Sequence, residues 1–126
     1  MTTFDEKTLK PLRAALTARE AELVGEITAA READIAAANA IGVATTDVND
    51  FKDQASSQER AALQDAEVQR DRNELADVRA ALARLNVGTY GICIDCAKTI
   101  DLPRLTAISA AARCMACQTQ LEARAV

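Results

Sequence analysis

The sequence has no histidine and no tryptophan, and its only aromatic residues are one tyrosine and two phenylalanines among 126 residues. Without histidine the chain lacks the commonest general base, which excludes Ser-His and Cys-His catalysis. Alanine supplies much of the 49% hydrophobic content. Such a composition does not suit a large globular core and favours long helices with a narrow apolar seam. We therefore expect a mainly helical protein that is not an enzyme.

An excess of basic residues is also absent, because the net charge is −4. A general nucleic-acid-binding protein needs a basic face for phosphates, so this charge opposes that class and also opposes binding to anionic membranes. No apolar run approaches the ~20 residues that span a bilayer. The first residues show no signal-peptide pattern, so a cytoplasmic location is expected. We predict neither direct sequence-specific contact with nucleic acid nor membrane attachment.

The four cysteines form two C-x-x-C pairs, Cys93 with Cys96 and Cys114 with Cys117, separated by 17 residues. This spacing is typical of a structural zinc site, in which four thiolates leave no position for water. Two disulfides are the alternative, and the missing signal-peptide pattern argues against them. A thioredoxin-like redox motif is disfavoured because no βαβ pattern surrounds either pair. The cysteines therefore predict one structural Zn²⁺.

A first long helix is predicted from about residue 5 to residue 41, with Pro11 tolerated near its start. Apolar residues at spacings of three, four and seven mark one stripe along it: Leu9, Leu12, Leu16, Leu23, Ile27, Ala30 and Ala37. Asp34 interrupts the stripe, and alanine dominates its far end, so burial should weaken there. So thin a stripe cannot keep an isolated helix of this length folded, and a partner helix is required.

The partner helix is predicted after a turn at residues 42–49, which is rich in turn and cap formers. It should start between Asp50 and Ser57, where either a capping aspartate or a capping box is present, and run to about Leu85. Gly88 then suits a helix end. Its seam has coiled-coil spacing over Leu75, Val78, Leu82 and Leu85, extended by Val68 and Ala61.

The remaining residues predict a small base that carries the cysteines. It should contain a short helix ending at Ala107 and a last helix from about Cys114 to Ala123. The predicted fold class is thus all-α: a long antiparallel helical hairpin (coiled coil) over residues 1–86, with its tip at about 42–56, and a four-cysteine zinc-binding base with a C-terminal helix over residues 87–126. A unit of ~40 residues is near the size below which a domain needs a disulfide or a metal ion to stay folded. Losing one cysteine should unfold the base while the hairpin stays helical.

The cysteine segment, residues 87–117, carries a set of motifs: Gly88–Cys96, read as G-x-Y-G-x-C-x-x-C, then Ile100, Arg104–Ala107 as R-L-x-A, and Cys114–Cys117. Together these motifs resemble those of the DksA/TraR family of bacterial proteins. The resemblance implies a cytoplasmic regulator of transcription initiation that binds bacterial RNA polymerase, with the hairpin entering the secondary channel through which nucleotides reach the active site. We expect such a protein to act as a monomer.

The resemblance also identifies an acidic tip, because the family motif D-x-x-D-x-A matches Asp50, Asp53 and Ala55. Ala55 precedes Cys93 by 38 residues, the offset seen in the family. The resemblance implies that the two carboxylates act close to the polymerase catalytic centre. Outside the family, two aspartates at a helix start are usually solvated caps. Phe51 lies within the motif and is expected either to cover the end of the seam or to contact polymerase.

Two further expectations follow from the resemblance, one for the channel rim and one for ppGpp. Arg70 matches a family arginine thought to contact the channel rim, although an ordinary exposed helix arginine explains it equally well. Some family members bind the alarmone ppGpp through basic residues, and here the aligned positions are Asp77, Ile108 and Gln118. A polyanionic ligand needs Lys or Arg there, so we expect weak or absent ppGpp dependence.

Three other functions remain open on the sequence alone. The hairpin is equally suited to a zinc-stapled coiled-coil adaptor for another protein, which differs from the polymerase hypothesis only in not needing the tip aspartates. A redox-responsive interaction protein is possible because zinc-bound thiolates can be oxidised. A DNA-binding zinc finger ranks last, since a zinc-tetrathiolate centre adds negative charge to a base with almost no net positive charge.

Overall fold

The structure is a computed structural model that describes the backbone of residues 4–41 and 50–124, with side chains described for residues 4–39 and 58–124. It contains four helices: α1 (Glu6–Ile41), α2 (Asp50–Val87), α3 (Leu102–Ala107) and α4 (Met115–Arg124). In this part of the chain no strand forms, and the β-type pairing is one antiparallel bridge between Ile92 and Thr99. The predicted all-α class is confirmed, and the helix ends lie close to those expected.

Local sequence explains where the long helices begin and end. The Asp5 carboxylate accepts a hydrogen bond from the Thr8 backbone N–H at 2.8 Å, which caps α1. After α2, Gly88 adopts a φ of +84°, and the Thr89 N–H donates to the Arg84 carbonyl at 2.9 Å. This glycine-terminated cap satisfies a carbonyl of the last turn. At the other end, α2 begins at Asp50, so the earlier of the two predicted starts is the one used.

Contacts divide the chain into two compact units, one made of the described residues of Met1–Ala21 and Leu75–Val126, the other of Glu22–Glu74. The first unit holds most of the core, with buried residues from the start of α1, the end of α2 and the cysteine segment: Leu9, Leu12, Leu16, Val78, Ala81, Leu85, Tyr90, Ile100, Leu105 and Ala111. The predicted domain boundary between residues 86 and 87 stays a prediction, because the start of α1, the end of α2 and the cysteine segment share one core.

Polar contacts fix the register of α1 and α2 inside the first unit. Arg79 Nε donates to Glu20 Oε2 at 3.2 Å, and Arg13 Nη1 donates to Asn86 Oδ1 at 3.1 Å. From the first contact to the second, the residue number rises along α2 and falls along α1, so the two helices are antiparallel here. Between these contacts the seam is closed by Ala81, which is fully buried, whereas the predicted seam residue Leu82 is half-buried.

The second unit has a much thinner apolar seam. Among its described side chains Leu23 is buried, while Ile27 and Ala30 are half-buried. Every residue from 31 to 39 is exposed, including Ala37, and so is Ala61 on α2, so these two alanines are not the seam residues that the sequence predicted. Gln64 Nε2 reaches the Ala30 carbonyl at 3.4 Å.

The predicted turn at residues 42–49 lies outside the described residues. Across the described part of the chain, no helix combines the length and apolarity needed to cross a membrane.

An N-terminal aromatic side chain packs on the cysteine segment at Gly91. The φ of Gly91 is +84°, and a Cβ built there would lie 2.5 Å from Phe4 Cε2 and 3.6 Å from Leu105 Cδ1. Only glycine permits both this backbone conformation and so close an approach of the ring. Glycine at this position therefore allows the residue before α1 to cover the segment that leads into Cys93.

We predict that Gly91→Ala lowers the free energy of unfolding by at least about 2 kcal/mol, through the left-handed backbone and the collision with Phe4. Chemical denaturation followed by circular dichroism measures the change. The double variant Phe4→Ala/Gly91→Ala should recover the part of the loss that comes from the collision.

Gly25→Ala is the matched control. Gly25 lies inside α1 with open space where its Cβ would be, so the same substitution there should raise stability by about 0.5–1 kcal/mol. An unchanged stability of Gly91→Ala would contradict the packing described.

Candidate metal centre

The first C-x-x-C pair lies in a tight turn closed by backbone hydrogen bonds. The Cys93 N–H donates to the Lys98 carbonyl at 2.8 Å, and the Ala97 N–H donates to the Cys93 carbonyl at 3.0 Å. Ala97 sits in the left-handed region at a φ of 63°. The Ile100 N–H donates to the Gly91 carbonyl at 2.7 Å and closes the base of the turn. This geometry turns both sulfurs toward one side.

The second pair lies at the start of α4, where Cys114 precedes the helix and Cys117 belongs to its first turn. The Gln118 N–H donates to the Cys114 carbonyl at 2.9 Å. The unpaired N–H groups of a helix N-terminus favour nearby anionic groups such as thiolates. The two pairs are also joined through the backbone, because the Ile94 N–H donates to the Ala112 carbonyl at 3.0 Å. The loop between α3 and α4 thus carries the second pair to the first.

All four sulfur atoms meet at one place. Every Sγ of Cys93, Cys96, Cys114 and Cys117 lies within 4.8 Å of the others, and Cys96 and Cys114 are 3.7 Å apart. A zinc ion with Zn–S distances of about 2.3 Å requires sulfurs about 3.8 Å apart in a tetrahedron. The same spacing is far longer than a disulfide bond of about 2.05 Å, and the cysteines are free thiols. The donor set therefore fits a closed tetrahedral metal site.

The ionisation of these thiols shows why a cation belongs there. Burial raises the pKa of Cys93, but backbone N–H groups of Cys114, Cys96 and Asp95 outweigh burial and bring that pKa down to about 6. Hydrogen bonds to Cys114 and Cys93, together with burial, raise the pKa of Cys117 to about 12. Four thiols this close cannot all ionise without a compensating positive charge. Zn²⁺ supplies it and displaces the thiol protons.

The only tyrosine in the chain anchors the segment that leads to the site. Tyr90 is fully buried, and its hydroxyl donates to the Ser109 carbonyl at 2.8 Å. That bond joins the start of the first turn to the loop before the second. Burial raises the pKa of Tyr90 to about 12, and the positive charge of Arg84 offsets the effect only in part. Among the described residues, the buried Nη2 of Arg84 has no hydrogen-bond partner.

Several contacts around the site are not visible in the sequence pattern. Arg113 Nε donates to Asp95 Oδ2 at 2.7 Å, and Arg104 Nε donates to the Arg113 carbonyl at 3.0 Å. The Arg104–Ala107 motif had been assigned only by resemblance, and the structure gives its first residue a physical role. An 18-residue separation carries no periodicity that would have predicted the ion pair.

The other predicted site residues lie on α2. Asp50, Asp53 and Ala55 fall within its first turns, but their side chains, like that of Phe51, lie outside the described residues. Arg70 is exposed on the same helix. Their assigned roles stay predictions.

Comparison with known proteins agrees with this geometry. Residues 88–123 match the prokaryotic DksA/TraR C4-type zinc finger family. The structure of transcription factor DksA2 from Pseudomonas aeruginosa matches with a TM-score of 0.73 at 26% sequence identity, covering 95% of this chain and 87% of that chain. No curated protein sequence matches the chain. The resemblance to a DksA-like family member and the prediction of one structural zinc are both confirmed.

We predict one zinc per chain in the purified protein and none in Cys93→Ser, measured by elemental analysis. Structural zinc contributes about 10–16 kcal/mol of apparent folding free energy in small zinc domains, so the cysteine segment should unfold without it. Tryptic cleavage after Arg104 and Arg113 should then accelerate, while circular dichroism retains most of the helix signal.

Ala111→Ser is the control, because Ala111 is buried in the same segment but offers no ligand. This variant should keep its zinc. A Cys93→Ser protein that retained a full equivalent of zinc would rule out the four-thiolate site.

We predict that the single tyrosine titrates near pH 12 in the folded protein and near pH 10 after unfolding. Ultraviolet absorbance of the phenolate reports it directly, since no other tyrosine or tryptophan contributes. Because the folded-state pKa is the higher one, the stabilising contribution of Tyr90 is complete below pH 10 and is lost as the pH rises through 12. Titration near pH 10 in the folded state would contradict the burial of Tyr90.

Proposed function

We propose that this chain, a DksA-like member of the DksA/TraR family, is a non-enzymatic regulator of bacterial transcription initiation that binds RNA polymerase through its secondary channel. The observation that carries the proposal is that two comparisons, one over the cysteine segment and one over most of the chain, point to the same kind of protein. The zinc-finger family covers residues 88–123, and the likeness to transcription factor DksA2 covers 95% of the chain, including both long helices.

The proposed mechanism rests on the chemistry of the α2 start. Asp50 and Asp53 provide two carboxylates on the first turn of a long helix. We propose that the pair of helices carries them into the channel, where the polymerase site works with Mg²⁺ and basic residues. Fixed negative charges act strongly on such a site because the local dielectric is low and the metal ions dominate its charge. Ala55 completes the motif.

The cysteine segment has a supporting role in this proposal. It shares one core with the start of α1 and the end of α2, so the metal stabilises the helix ends that lie furthest in sequence from Asp50. Arg70, exposed on α2, is proposed to contact the channel rim. The protein is proposed to act as a cytoplasmic monomer, with no membrane and no sequence-specific nucleic-acid contact of its own.

We predict that Asp50→Asn/Asp53→Asn binds purified core polymerase as the unmodified protein does but loses its effect on promoters. Asparagine has nearly the shape of aspartate, so the double substitution removes the two charges and keeps the size of the side chains. Pull-down with core polymerase measures binding, and transcription from responsive promoters in vitro measures the effect.

The matched control is Asp65→Asn/Glu67→Gln, which removes two charges from exposed positions of the same helix. It should retain the transcriptional effect. Equal loss in both double variants, or full activity of the tip variant, would contradict the proposed role and would favour an adaptor that binds through its helix faces. In the same pull-down Arg70→Ala should weaken binding, and Arg72→Ala, exposed two residues further on, should not.

We predict that ppGpp changes the transcriptional effect by less than about twofold, because Asp77, Ile108 and Gln118 offer no positive charge to its phosphates. Asp77 and Ile108 are exposed, and Gln118 is half-buried. Transcription with polymerase and this protein, with and without ppGpp, measures the change. Strong potentiation that requires this protein would contradict the prediction.

A further inference from the structure

A charged contact joins the two cysteine turns outside the four sulfurs. Arg113 Nε lies 2.7 Å from Asp95 Oδ2, a short charge-assisted hydrogen bond. Asp95 immediately precedes Cys96, and Arg113 immediately precedes Cys114. The sulfurs of those two cysteines are themselves 3.7 Å apart, one from each turn. The ion pair therefore runs beside the sulfur contact and spans the same gap.

The arginine is held in place from its other side. Arg104, in the first turns of α3, donates from Nε to the Arg113 carbonyl at 3.0 Å, and its Nη1 lies 3.8 Å from Met115 Sδ. Arg104 thus connects α3 to the residues on both sides of Cys114. The side chain of Arg113 is 27% exposed and that of Asp95 47%, so the pair is partly shielded from water.

We infer that Asp95 and Arg113 form a clamp that draws the two C-x-x-C turns together and so strengthens zinc binding, with Arg104 as the residue that positions Arg113. The clamp acts before the metal arrives. Seventeen residues separate the two turns, and the chain entropy lost on bringing them together opposes metal binding. A contact already made between the turns reduces that cost and leaves the four thiols close to their final positions. The inference does not depend on any role in transcription.

A simple field effect makes the opposite prediction for one of the two residues. The zinc-tetrathiolate centre carries a net charge of −2, so a nearby arginine favours it and a nearby aspartate disfavours it. If only the field matters, Asp95→Asn should strengthen zinc binding while Arg113→Gln weakens it. If the clamp matters, both substitutions weaken zinc binding, because each removes one half of the same contact. The sign for Asp95→Asn separates the two.

The test is a zinc-affinity measurement on the full chain by competition with a chromogenic chelator at one pH. We expect Asp95→Asn and Arg113→Gln each to raise the zinc dissociation constant by about 3- to 10-fold, less than for groups bonded directly to a metal ligand. The zinc dissociation constant of the double variant should not exceed that of the weaker-binding single variant, because the contact can be lost only once. Arg104→Gln should also weaken zinc binding, because it removes the hydrogen bond that holds the Arg113 backbone carbonyl.

The matched control is the ion pair between Arg79 and Glu20, which also joins an arginine Nε to a carboxylate oxygen, at 3.2 Å, but links α1 to α2. Glu20→Gln and Arg79→Gln should leave zinc affinity unchanged. Absorbance of the Co²⁺-loaded proteins checks that every variant still offers four thiolates. That spectrum separates a weaker clamp from a misfolded segment.

Three results would overturn the inference. Unchanged or tighter zinc binding in Asp95→Asn would mean that the two residues act on the zinc centre only through their electrostatic field. Additive losses in the double variant would mean that the two residues act separately. Losses of the same size from the Arg79 and Glu20 substitutions would mean that zinc affinity follows general stability.

Discussion

Closure of four thiolates around one Zn²⁺ is the interaction on which this structure depends. The cysteine segment buries few large side chains of its own, chiefly Tyr90, Ile100 and Leu105, and it contains only two short helices. Burial on this scale leaves little margin over the conformational entropy of an irregular loop. The metal supplies what the core lacks, and Tyr90, Ile100 and Leu105 join the segment to the start of α1 and the end of α2. Removing the metal therefore affects more than the metal site.

Sequence reasoning predicted what is local or periodic. The helices follow from apolar spacing, the end of α2 from Gly88, and the zinc ligands from two C-x-x-C pairs. It could not predict contacts between residues far apart with no repeating pattern, such as Phe4 on Gly91, Tyr90 with Ser109, or Asp95 with Arg113. It also erred on Ala37 and Ala61, which are exposed, and missed Ala81, which is buried. Alanine contributes too little apolar area for its spacing alone to indicate which face of a helix is buried.

The unit of Glu22–Glu74 and the unit that holds the cysteines differ in how they are stabilised. The former has one fully buried hydrophobic residue among its described side chains, Leu23, whereas the latter has a connected core and the four-cysteine site. A segment with few buried apolar contacts opens more readily than the rest of a protein. The proposed insertion of charged groups into a partner requires slender helices more than it requires a dense core. The acidic start of α2 belongs to this unit, and the proposed function gives it a role in binding.

The central claim is that the zinc shell is closed and made only of sulfur. Zinc K-edge X-ray absorption on the purified protein measures this directly, since it gives the number, type and distance of the ligands. We predict four sulfur ligands at about 2.3 Å and no lighter ligand. Because the chain has no histidine, a lighter ligand would be an oxygen atom from water or a carboxylate. Such a shell would mean an open site, and would contradict the claim that this metal holds structure alone.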